Sequence, residues 1–96
     1  LNLPLAPGTG DDGWLSALDQ AAEWIDAQAL VVSLGVDASA TDPESPLRVS
    51  ADGFREAGRI VGALGLPTVL VQEGGYDLET LGPLVLEFLR GVESAA

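Results

Sequence analysis

The sequence predicts an α/β fold, a parallel sheet with helices on both faces stacked as three αβα layers. Two short runs, 30–35 and 67–72, are β-branched and almost continuously apolar, as parallel strands buried on both faces are. Three longer stretches with apolar residues at helical spacing alternate with them. With a first short strand at 2–5 the order reads β-α-β-α-β-α, an alternation that implies right-handed crossovers.

Each element has a local reason. Asn2 to Leu5 reads as a short strand that Pro4 confines to an edge or a strand end. Ala6 to Gly10 is turn chemistry, and Asp11 or Asp12 is the expected cap of the helix that follows. Trp14, Leu18, Ala21 and Ile25, flanked by Leu15 and Ala22, form its apolar stripe. After the 30–35 strand, Ala38 to Leu47 is a loop rich in Ser, Thr, Asp and Pro. Ser50 caps the second helix, Phe54, Ala57, Val61 and Leu64 line its buried side, and Gly65 followed by Pro67 stops it. The second run, 67–72, leads into Gly74-Gly75, a sharp turn, and Asp77 or Thr80 caps the last helix. Pro83 fits that helix only if its main part starts near Gly82 or if it bends there.

The totals exclude several functions. Four arginines and no lysine face fifteen carboxylates, a net charge of −11, so a nucleic-acid backbone is not an expected partner. There is no cysteine, hence no disulfide and no thiolate metal site. There is no histidine either, which rules out a Ser-His-Asp triad, a histidine base or a histidine-rich zinc site built from this chain alone. No apolar run reaches the ~20 residues of a membrane span, and a membrane is not an expected partner. A cytoplasmic location is the expectation. The chain opens at Leu1 rather than Met, as expected of a piece of a longer protein, and 1–96 reads as one partial domain. A sheet of three parallel strands has long bare edges, which are normally covered or paired, so association through an edge is a further expectation.

Three motifs bear on chemistry. Gly8 to Gly13 matches the spacing of a dinucleotide-binding loop, but no long strand precedes it, and Asp11 and Asp12 would repel a pyrophosphate. It is read as a turn and a helix cap, and no cofactor-binding loop is assigned. Asp37 follows the first buried run, where side chains face the crevice at the sheet's C-terminal edge. Its carboxylate is either a metal ligand or the acceptor that holds a turn, and spacing alone leaves both open. Asp42-Pro43 reads more simply as a turn. Glu73-Gly74-Gly75-Tyr76-Asp77 follows the second run, so Tyr76 is either a hydrogen-bond donor to an oxyanion or a cap on the sheet end.

Taken together, Leu34-Gly35-Val36-Asp37, Asp42-Pro43, and Pro67 through Asp77 resemble the C-terminal third of the zinc-dependent deacetylase superfamily, which holds the histone deacetylases and the acetylpolyamine amidohydrolases. The opening Asn2 to Asp11 is similar to the same pattern, and Gly-Val-Asp and Gly-Leu-Pro-Thr lean toward the acetylpolyamine amidohydrolase branch. The resemblance implies the C-terminal portion of the arginase/deacetylase fold. It implies that Asp37 is a zinc ligand, that Tyr76 polarises the acyl carbonyl and stabilises the tetrahedral intermediate, and that Gly74 and Gly75 place Tyr76. It puts Glu44 at the pocket mouth, where a carboxylate favours a cationic amine. The substrate implied is an acetylated amine, and the metal Zn2+. The family's remaining zinc ligands and its tandem histidine pair lie upstream of the matched region. This chain alone is therefore expected to bind zinc poorly and to be inactive. Ser39 stands where histone-like branches often carry histidine. The competing expectation is a non-catalytic α/β module that acts by associating with itself or with another chain.

Overall fold

The computed structural model describes residues 1–95. Five elements follow one another: α1 (Asp11–Trp24), β1 (Leu30–Leu34), α2 (Ala51–Ala63), β2 (Thr68–Gln72) and α3 (Leu78–Ser94). β1 and β2 pair in parallel, Leu30 opposite Thr68 through Leu34 opposite Gln72, with α2 as the crossover. The class is the α/β one expected, but the sheet has two strands rather than three. Asn2–Leu5 forms no strand. Ladder bonds need a neighbouring strand, and the residues after this stretch pair with a loop instead. Gly8 donates to the Pro46 carbonyl and Arg48 to that of Thr9, 2.8 Å each.

One face of the sheet is covered. Leu30, Val32, Leu34 and Leu70 pack into a cluster with Ala57 and Val61 of α2, Val85, Phe88 and Val92 of α3, and Trp14, Leu15 and Leu18 of α1. The alternate residues Val31, Ser33, Val69 and Val71 point the other way and are exposed, Val31 by 70% and Val69 by 59%. The expected three αβα layers are thus two in this chain. The strands are apolar on both faces, as read, but only one face finds helices. A second cluster, Val36, Val49, Phe54 and Leu84, lies beneath the strand ends and is closed by Trp14, whose ring meets Phe54 edge-on at 5.2 Å.

α2 and α3 make the tightest contact, and glycine makes it feasible. A Cβ on Gly58 would collide with the Phe88 carbonyl oxygen, and one on Gly91 with that of Arg55. The two helices therefore touch backbone to backbone. Arg55 and Glu87 tie the rim of this contact through an ion pair of 2.5 Å, and Arg90 joins Glu87 at 3.0 Å.

Helix ends follow the expected chemistry with one exception. Ser50 caps α2 by accepting from the Gly53 amide, and Asp77 caps α3 by accepting from Glu79. Gly65, at φ +66°, ends the α2 segment. Asp11 does not cap its own helix. Gly10 occupies the cap position of α1, and the Asp11 carboxylate accepts from the backbone amide (2.7 Å) and hydroxyl of Ser50, bracing one helix start against another. α3 begins at Leu78, earlier than Pro83 suggested, and runs through that proline.

Candidate active site

The site expected from the sequence lies where the parallel strands end. Beyond β1 the chain continues as Gly35-Val36-Asp37, and beyond β2 as Glu73-Gly74-Gly75-Tyr76. The ladder does not stop with the strands. The Glu73 amide donates to the Leu34 carbonyl at 2.9 Å, and the Val36 amide to that of Gly74 at 2.8 Å. These bonds hold the two loops side by side.

Asp37 sits against the second loop. A Cβ added to Gly74 would lie 2.8 Å from Asp37 Oδ2, and one on Gly35 would lie 2.8 Å from Oδ1. Only glycine leaves room for the carboxylate at both positions. Gly75 is required for two reasons. Its φ of +145° disfavours any L side chain, and a Cβ there would meet Leu81 and Val36 at 2.6 and 2.7 Å. Asp37 is half-buried, yet among the described residues its carboxylate accepts no hydrogen bond. A turn-forming aspartate would spend its oxygens on nearby amides.

Asp42 does that instead. It is 8% exposed, and both its oxygens are engaged: Oδ1 accepts from the Glu44 amide and Oδ2 from the Tyr76 amide, each at 2.8 Å. The turn read at Asp42-Pro43 exists, but its second bond reaches 34 residues along the chain. Sequence reasoning missed that contact. The nearest available signal was the Asp-Pro step in a loop beside the glycine pair. Tyr76 is 55% exposed and Glu44 is exposed. Ser39 is buried, 3% exposed, and its hydroxyl meets that of Thr41 at 3.3 Å.

Asp37, Gly74, Gly75, Tyr76 and, through Asp42, Glu44 are thus gathered at one sheet edge. Chemically, the edge offers one carboxylate without an internal hydrogen bond, a phenol and the exposed carboxylate of Glu44. Among the described residues no group of three or more His, Cys, Asp or Glu is arranged to hold a metal ion. A catalytic zinc site needs three protein ligands and an open position; a carboxylate such as that of Asp37 is of the type that serves as one ligand, and the described residues do not complete such a site. No helix among the described residues is long and apolar enough to cross a membrane.

This α/β architecture has counterparts among known proteins. The profile of the histone deacetylase domain matches residues 1–92, and the chain belongs to that family. It is 43% identical to acetylpolyamine amidohydrolase 1 of Pseudomonas aeruginosa over 98 residues, covering 99% of this chain and 28% of that protein. It is 40% identical to acetylpolyamine amidohydrolase of Burkholderia pseudomallei, covering 95% and 28%. The crystal structure of acetylpolyamine aminohydrolase from Burkholderia pseudomallei superposes with a TM-score of 0.93 at 39% identity, covering 99% of this chain and 29% of that one. The chain therefore has the fold of one portion of an arginase/deacetylase-type enzyme, and spans 28% of the length of these curated relatives.

Proposed function

We propose that this chain forms the C-terminal third of a zinc-dependent amidohydrolase that removes acetyl groups from amines, with acetylpolyamines ahead of acetyl-lysine as substrates. The relatives named acetylpolyamine amidohydrolase support the substrate class. The observation that carries the reading is the Asp37 carboxylate, which accepts no hydrogen bond among the described residues and lies against the glycine loop that bears Tyr76.

The reaction is amide hydrolysis. A water oxygen bonds to the acetyl carbon, the C–N bond breaks, and acetate and a free amine leave. Asp37 would hold the metal through one anionic oxygen, and the further ligands and the proton-transferring histidines would come from the upstream part of the enzyme. Bound zinc, in such sites, lowers the pKa of water and polarises the carbonyl. Tyr76 donates its O–H to the carbonyl oxygen as negative charge develops there, a contribution that strengthens toward the transition state. Gly74 and Gly75 keep the tyrosine loop against the carboxylate. Glu44, exposed near that edge, draws the cationic end of a polyamine toward the pocket mouth. The setting of such an enzyme is expected to be cytoplasmic.

The test is a graft. This chain replaces the corresponding 28% of the Pseudomonas aeruginosa relative, and turnover of an acetylpolyamine is compared with that of the 96-residue chain alone. The graft is expected to deacetylate and the isolated chain to show no turnover and weak zinc binding. Stoichiometric tight zinc and turnover by the isolated chain would refute the reading.

The bare outer face of the sheet, Val31, Val69 and Val71, favours a second reading, a non-catalytic module that self-associates through that sheet. In the first reading the same face is covered by the rest of the enzyme. Sedimentation separates them: a monomeric 96-residue chain counts against self-association.

A further inference from the structure

We propose that Asp42 is a positioning residue: its single carboxylate sets the backbone of Tyr76 and the rim residue Glu44 relative to one another. This rests on the reading of Tyr76 as the oxyanion donor.

The argument starts from what else holds Tyr76. The Gly74 carbonyl is fixed by the Val36 amide, and Asp77 is fixed as the cap of α3. Between those anchors lie Gly75, the most permissive residue type, and Tyr76. Among the described residues, the Tyr76 amide has one acceptor, Asp42 Oδ2 at 2.8 Å. No backbone carbonyl stands in for it. The other oxygen of the same carboxylate holds the Glu44 amide, so Pro43, which has no N–H, is bridged over and the rim residue is held by the same group.

Burial gives the bond its strength. Asp42 is 8% exposed, and a carboxylate accepting from backbone amides is a charge-assisted acceptor, roughly twice as strong as a neutral one. Asparagine is nearly isosteric but can offer only one acceptor oxygen, and its NH2 would face one of the two amides. It can satisfy Tyr76 or Glu44, but not both. The tyrosine, which has to meet a developing oxyanion within a few tenths of an ångström, is the more sensitive of the two.

Two measurements test this. The first is amide hydrogen exchange in the 96-residue chain. Asp42→Asn is expected to speed exchange at Tyr76, Glu44 or both by about tenfold, with Val36 and Val49 unchanged as folding controls. Equal exchange at both sites in the two proteins overturns the proposal, whatever the catalytic result. The second is a double-mutant cycle in the graft enzyme. Asp42→Asn is expected to lower kcat about tenfold, leave KM for the acetylated amine within about twofold, and add almost nothing once Tyr76→Phe is present. Additive losses, or a rise in KM with kcat unchanged, would show that Asp42 does not act through Tyr76. A graft with no activity, beside faster exchange at Tyr76, would refute the deacetylase reading and leave the clamp standing.

Discussion

Two sets of glycines organise this chain, and they differ in what a methyl group would strike. At the α2–α3 contact, Gly58 and Gly91 face the backbone carbonyls of Phe88 and Arg55. At the strand ends, Gly74 faces the carboxylate of Asp37. Backbone cannot give way without shifting a helix, whereas a carboxylate can rotate aside. The first pair is therefore a requirement of the fold, and Gly74 is a requirement of where the Asp37 carboxylate lies. Space in a core and space in a site look alike in a sequence, yet their loss is read by different measurements.

The largest expected effect breaks the first pair. Gly58→Ala or Gly91→Ala pushes α2 and α3 apart and should destabilise the chain by about 3 kcal/mol or more, measured by urea unfolding. A loss of only a few tenths would mean that the helices slide apart freely, and the distinction drawn here would collapse. Gly74→Ala should do the reverse. Stability is expected to fall by under about 1 kcal/mol, since only a side chain must move, while zinc content and turnover of the graft fall at least about tenfold because Asp37 is displaced. Equal losses of stability in the two cases would erase the contrast.

Much of this was legible in the residues. The two strands, the caps at Ser50 and Asp77 and the stop at Gly65 all follow from local patterns, which is what periodicity and turn chemistry report. What was not legible depends on partners distant in sequence. Asn2–Leu5 has strand-like residues and finds no partner strand. The outward valines were read as covered because apolarity shows what a face prefers rather than what stands over it. Asp11 looked like a helix cap and bonds Ser50, 39 residues away. Gly58-x-x-x-Gly62 is a sequence signal of close helix packing, and a Cβ on either glycine would meet the backbone of α3.

Glu44 is exposed, so Glu44→Gln should leave stability unchanged and lower the preference of the graft for acetylpolyamine over acetyl-lysine peptide by about fivefold at most. An unchanged preference would remove Glu44 from the pocket mouth. The smallest effect lies on the helix pair. Arg55, and secondarily Arg90, hold the Glu87 carboxyl below the usual carboxylate range. A depressed folded-state pKa adds stability that is fully present above the unfolded value and is lost as pH falls through the folded one. Acid titration of the unfolding midpoint should therefore show a small acid-side contribution that is missing in Glu87→Gln, whose midpoint falls less, or rises more, on acidification than that of the parent chain. Identical acid titrations of the two proteins would contradict the assignment.

We propose that Asp37 is the ligand this chain contributes to a shared metal centre. The most direct measurement is the zinc content of the graft enzyme, purified with and without Asp37→Ala. About one zinc per chain is predicted with Asp37 and a small fraction of that without it, with the fold retained by circular dichroism. Full zinc occupancy in the Asp37→Ala enzyme would contradict the account.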